Sequence, residues 1–148
     1  MCYIFDRLVL NRVNVKIIIT QWALDSYLKL KHGNVFPSSF YNNQLKPDAL
    51  LLKKYKNHPQ PPEFSNNKFW SIASINGAHI TDGYKMKWHQ VGNGCVQLRL
   101  PVTILSNEAF LCTGYVKNAK AERRYLCSFK THCQLIKAGK YTQCGELQ

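Results

Sequence analysis

Acidic side chains are scarce in this sequence. Eight Asp and Glu stand against twenty Lys and Arg over 148 residues, a formal charge of +12. No acidic pair is placed to hold magnesium, so a metal-dependent nuclease is disfavoured. A glycine-rich phosphate loop ending in Lys-Ser/Thr is absent, as is a Gly-x-Ser-x-Gly elbow, which removes the commonest NTPase and hydrolase signatures. The six cysteines, at 2, 95, 112, 127, 133 and 144, make no Cys-x-x-Cys pair and no Cys/His cluster with zinc-ligand spacing. They read as reduced thiols, and neither a metal nor a cofactor is expected. Long apolar runs are missing too: Asp6 and Arg7 interrupt Met1 to Leu10, so a signal peptide or a membrane span is not expected. A cytoplasmic protein without a membrane partner follows as the expectation.

Hydrophobic residues make up 45% of the chain and three are Trp, which argues for a packed core and against a disordered basic tail. The length suits one domain. Its charge leaves the choice of fold open but favours an anionic partner, nucleic acid or an acidic protein.

Periodicity gives the element order. A short apolar strand, Val15 to Thr20, precedes a helix from Gln21 to His32 closed by Gly33. A second helix is expected to open at Lys46-Pro47-Asp48, with Pro at its first position, and to stop at His58-Pro59. Gln60-Pro61-Pro62-Glu63 reads as an extended linker. Strands follow at Phe69 to Ile75, Tyr84 to Val91, Cys95 to Leu105 and Ala109 to Lys117, with Asn76-Gly77 as a turn and Pro101 marking a bulge or an unpaired edge. A helix from Ala119 to Ala138 ends the pattern, capped by Gly139. The expected fold is a small α+β domain over residues 15–148: an N-terminal strand and helical hairpin packed on an antiparallel meander, then a C-terminal helix. Residues 1–14 read as an appendage, with the native start expected near Val15.

One hairpin carries the functional signal. Tyr84 to His89 and Cys95 to Leu100 send Met86, Trp88, Val96, Leu98 and Leu100 to one face, while Lys85, Lys87, His89, Gln97 and Arg99 share the other. Such a row of cations repels itself unless an anion sits on it. With Gly92-Asn93-Gly94 as the loop, Val91 pairs with Cys95, His89 faces Gln97 and Lys87 faces Arg99. If Ser106 to Glu108 turns the next hairpin, Leu105 pairs with Ala109, and Tyr115 falls beside Arg99 and Lys117 beside Gln97. The parts suit phosphodiester chemistry. Arg99 and Lys87 would hold a phosphate, His89 would act as general acid or base, and Tyr115 would stack on a base or donate its proton. Arg99 stands alone in an apolar strand with no acid in that strand to pair it. Lys130 and His132 on the last helix offer a second basic surface.

The segments Trp22-Ala23-Leu24-Asp25-Ser26-Tyr27, Leu45-Lys46-Pro47-Asp48, Lys85-Met86-Lys87-Trp88-His89, Val96-Gln97-Leu98-Arg99-Leu100-Pro101-Val102 and Ala109-Phe110-Leu111-Cys112 make the chain resemble toxins of the RelE/ParE superfamily, nearest to the ParE-like subgroup. The resemblance runs from about Val15 to about Cys144. It implies an acidic antitoxin as partner and growth arrest when that antitoxin is lost. For the target it implies either messenger RNA on the ribosome, cleaved without metal by 2′-hydroxyl attack, or DNA gyrase. By position, Arg99 resembles a phosphate-contacting arginine, and Lys85, Lys87, His89 and Tyr115 occupy places where the nucleases keep reactive groups. A ribosome-dependent endoribonuclease is the first expectation, a gyrase poison the second and a non-toxic nucleic-acid-binding protein the third. The chain departs from the family in its N-terminal piece and its tail, Lys140 to Gln148.

Overall fold

The computed structural model describes residues 13–92 and 96–148, beginning with strand β1 (Lys16–Thr20). Alternation along β1 puts Ile17 into an apolar cluster on one face and Ile18 into a second cluster on the other. Helix α1 (Gln21–His32) follows without a break. Thr20 joins the two: its hydroxyl accepts from the Ala23 N–H at 3.3 Å, capping the helix, and donates to the Leu111 carbonyl at 2.6 Å. The expected bounds of α1, and Gly33 as its stop, match the structure.

The second helical segment starts earlier than expected. Its backbone turns helical at α2 (Ser38–Phe40), passes through a π turn at Tyr41–Leu45, continues as α3 (Lys46–Leu50) and tightens to 3₁₀ at Leu51–Lys54. Pro47 therefore lies inside a helical run. The π turn, closed by the Lys46 N–H on the Tyr41 carbonyl, widens the backbone just before the proline that has no N–H to give. The expected extended linker is also corrected. Pro62–Ser65 forms a 3₁₀ turn, because Phe64 buries itself against Tyr55 and Trp70, each ring centroid 5.0 Å away.

Strands β2 (Trp70–Ile75), β3 (Ala78–Val91), β4 (Val96–Leu105), β5 (Glu108–Leu111) and β6 (Tyr115–Val116) run as an antiparallel meander. Asn76 (φ 51°) and Gly77 (φ 80°) make the first hairpin a two-residue turn, so β3 begins six residues before the expected Tyr84. The last expected strand is split in two, because residues 112–114 leave the ladder. Helix α4 (Ala119–Lys137), capped by Asn118, and strand β7 (Gln143–Glu146) complete the chain.

The sheet is mixed. Its order is β2-β3-β4-β5-β1-β7, with β6 continuing on β4, β1 parallel to β5 and β7 antiparallel to β1. The architecture is a single small α+β domain, and its meander is extended by the expected N-terminal strand, paired in parallel, and by an edge strand, β7, that alternation did not reveal. Side chains from α1, α2 and α3 join Met86, Trp88, Leu98 and Leu100 in the cluster on one face. On the other, α4 lays Leu126, Phe129, Cys133 and Ile136 against Ile18, Ala73, Ile80 and Phe110. Covering both faces brings one end of the hairpin's cationic row, Lys85 and Arg99, within reach of Glu122 on α4. Among the described residues, no helix is long and apolar enough to cross a membrane.

A cationic cluster closed by one carboxylate

Lys87 pairs with Arg99 across β3 and β4, and Arg99 pairs in turn with Tyr115 on β6, so three strands converge as expected. Both hairpins reach this register by a different route. Val91 pairs with Val96, one residue beyond a three-residue loop, and a bulge between Trp88 and Val91, with Gln90 at φ 56°, absorbs the extra residue before Lys87 is reached. The expected partner Cys95 lies outside the described residues, with Asn93 and Gly94. The same bulge takes His89 out of the ladder, so the expected facing of His89 and Gln97 is not a regular pair. In the second hairpin Leu105 pairs with Glu108 rather than Ala109, and the break at residues 112–114 restores the offset that sets Tyr115 on Arg99. Lys117 donates its N–H to the Gln97 carbonyl at 2.7 Å, again as expected.

The patch is less open than an unpaired cationic face. Arg99 is 3% exposed and Tyr115 1%. Arg99 Nη1 donates to the carbonyls of Trp88 (3.3 Å) and Leu98 (3.2 Å), and Nη2 donates to Gln97 Oε1 at 2.9 Å. Its Nε is buried without a partner. The Tyr115 hydroxyl donates to Glu122 Oε2 at 3.0 Å, and its ring stacks on Tyr125 with centroids 4.7 Å apart. Lys85 Nζ lies 3.8 Å from Glu122 Oε1. Glu122, in the first turns of α4, is thus the acid that β4 lacks. In sequence it reads only as a carboxylate complementing a helix N-terminus; its reach onto the sheet comes from the packing of α4.

The charges are unbalanced. Burial pulls the Lys85 ammonium below the ordinary lysine range; Glu122 opposes that shift, while Arg99 and Lys117 add to it. Lys87 is lowered by burial first and then by Lys85, Arg99 and Lys117. Arg99 is lowered by burial, and Tyr115 is raised by burial and by Glu122 beside it. Four cations therefore act on one another around a single carboxylate.

Four groups remain toward solvent. Lys87, half-buried, donates to the Asn67 carbonyl at 2.6 Å. His89 is exposed, with Nε2 2.7 Å from the Lys68 carbonyl. A carbonyl only accepts, so Nε2 carries a proton, and in the neutral ring Nδ1 keeps the lone pair. Gln97 and Lys117 are exposed beside them.

The second basic surface is corrected in part. Lys130 is exposed, but the His132 ring stacks on Trp22 of α1 at 4.0 Å and 9°, with its Nδ1 buried and unpartnered. Burial lowers its pKa, so at neutral pH it is an uncharged packing ring. Apolar contact with α1 draws this side chain inward. Neither residue is among the charges that perturb Lys85, Lys87 or Arg99.

No protein-family model matches the chain, and no curated protein matches it in sequence.

Proposed function

We propose that the chain is a toxin of the RelE/ParE type that cleaves RNA on the ribosome without a metal, held in check in the cytoplasm by an acidic antitoxin. The reading is carried by the convergence of Lys85, Lys87, Arg99 and Lys117 on one carboxylate, an arrangement short of anions. A strand followed by helices, an antiparallel meander and a helix before the last strand suits the same reading, and the charge of +12 suits both RNA and an acidic partner.

In this mechanism Lys87 and Lys117 hold the scissile phosphate from the solvent side. Arg99 supports their field from beneath without touching the substrate. His89 Nδ1 takes the proton of the ribose 2′-hydroxyl, whose oxygen attacks the adjacent phosphorus. The P–O5′ bond breaks and the 5′-oxygen takes up a proton from solvent, leaving a 2′,3′-cyclic phosphate and a 5′-hydroxyl end. The Tyr115 proton is committed to Glu122. That commitment, with the burial of Arg99, favours a second reading in which the surface binds DNA gyrase without chemistry.

Induction of the chain in growing cells, with RNA ends mapped beside a plasmid-supercoiling assay, separates them. New 5′-hydroxyl ends that disappear in His89→Ala and Lys87→Ala support the nuclease. Lost supercoiling without new ends supports gyrase. Unaffected growth leaves a nucleic-acid-binding protein that is not a toxin.

A further inference from the structure

The break after β5 opens a groove next to the cationic cluster. Strand β6 pairs with β4 along one edge only, and α1 lines the space beyond it, with Ser26 Oγ accepting the Gly114 N–H at 2.9 Å. The space between α1, β6 and the start of α4 has a volume of about 490 Å³, within the range of small-molecule sites. The residues that line it include Trp22 and Tyr125, the β6 residue Val116, and the polar residues Asp25, Lys29 and Asn118.

The backbone in this groove has a defined polarity. The Lys117 N–H bonds the Gln97 carbonyl, and Tyr115 stands opposite Arg99, so residues 115 and 117 turn their amide groups toward β4. Val116, opposite Leu98, turns its N–H and C=O the other way, into the groove. One donor and one acceptor side by side on a strand edge match the paired acceptor and donor on the edge of a nucleobase. Trp22 and Tyr125 lie at the sides, each with one ring face taken by a protein ring, His132 and Tyr115 respectively, which leaves the opposite face of each for a base.

We propose that this groove is a nucleobase subsite for single-stranded RNA, with Val116 reading the base edge and Trp22 and Tyr125 flanking the ring. The proposal rests on the RNA reading of the neighbouring cluster and extends it. Lys117 follows Val116 directly, so a base seated here has its phosphate beside the exposed lysine at the rim of the cluster. The groove itself is charge-balanced, with Lys29 and Asp25 both on its walls, so it is the backbone pair and the two aromatic residues beside the cationic cluster that favour a base over an acidic peptide.

The test is a titration of the purified chain with each of the four ribonucleoside 5′-monophosphates, with inorganic phosphate as the control. Trp70 and Trp88 are each 5% exposed, so a fluorescence change reports mainly on Trp22. At least one nucleotide is expected to quench it saturably and to shift the Val116 amide and Trp22 indole resonances together. Tyr125→Ala is expected to weaken that nucleotide at least about fivefold. Phosphate alone reproducing the shifts, no shift at Val116, or unchanged affinity in Tyr125→Ala overturns the subsite. The Val116 resonance keeps the test decisive should Tyr125→Ala unfold. Nucleotide binding with no RNA cleavage in cells leaves the subsite standing and removes the nuclease reading; cleavage whose base preference ignores Tyr125→Ala does the reverse.

Discussion

The Glu122 carboxylate on α4 accepts the Tyr115 hydroxyl proton at 3.0 Å while its other oxygen lies 3.8 Å from Lys85 Nζ. One acid therefore tethers the last helix to the third strand of the cluster and offsets the charge beneath it. Glu122→Gln keeps a hydrogen-bond acceptor for Tyr115 but removes the only carboxylate among the groups acting on Lys85. Both partners are largely buried, so the variant is expected to lose about 1–3 kcal/mol in urea unfolding. Its affinity for a polyanion such as heparin is expected to rise. A gain in affinity without a loss in stability would show that Glu122 holds nothing down.

Arg99 is a poor choice for a simple activity test. Its guanidinium closes on the carbonyls of Trp88 and Leu98 and is 3% exposed. Arg99→Ala leaves those carbonyls and a cavity behind, and is expected to cost about 2–4 kcal/mol. Lys87→Ala, at a half-buried position, is expected to cost about 1 kcal/mol or less. Urea midpoints measured beside RNA cleavage distinguish lost chemistry from lost fold. Cleavage lost in Lys87→Ala at an unchanged midpoint assigns Lys87 to the substrate.

Much of this geometry is present in the sequence as alternation and spacing. The bounds of α1, the Asn76-Gly77 turn and the opposition of Lys87 to Arg99 follow from local signals with strong physical causes. The register holds although both loops are one residue off the expected lengths, because a bulge at Gln90 and a break at residues 112–114 each restore the offset. Neither device has a reliable sequence mark. Strand β7 is mostly exposed and has no apolar alternation to announce it. The cover over Arg99 was illegible for a different reason: a strand pattern specifies two faces, and only the docking of α4 decides that both are buried.

Gly83 marks how closely α4 approaches the sheet. A Cβ there would sit 2.9 Å from Phe129 Cε2 and 2.9 Å from Ile80 Cγ2, and both of those side chains are buried. Gly83→Ala is expected to lower stability by about 1–3 kcal/mol through overpacking, with the amides of α4 losing hydrogen-exchange protection before those of α1. Equal protection in both helices would mean that the helix tolerates the shift.

The Trp22–His132 stack makes a pH prediction whose sign is fixed by burial. Burial lowers the His132 pKa below 6.5, so as pH falls through that value the unfolded chain takes up the proton first. Unfolded chains then bind more protons than folded ones, and stability rises with pH across the window. The contribution is complete above pH 6.5 and is lost as pH falls below it. His132→Phe keeps an aromatic ring on Trp22, removes the unpartnered Nδ1 and removes the proton site. The variant is expected to be about 1 kcal/mol more stable at pH 7, and its advantage over the parent is expected to widen at pH 5. Urea midpoints of the two chains at both pH values provide the check. Parallel changes with pH would mean that the imidazole is protonated as easily folded as unfolded, and that the ring is not sealed between the two helices.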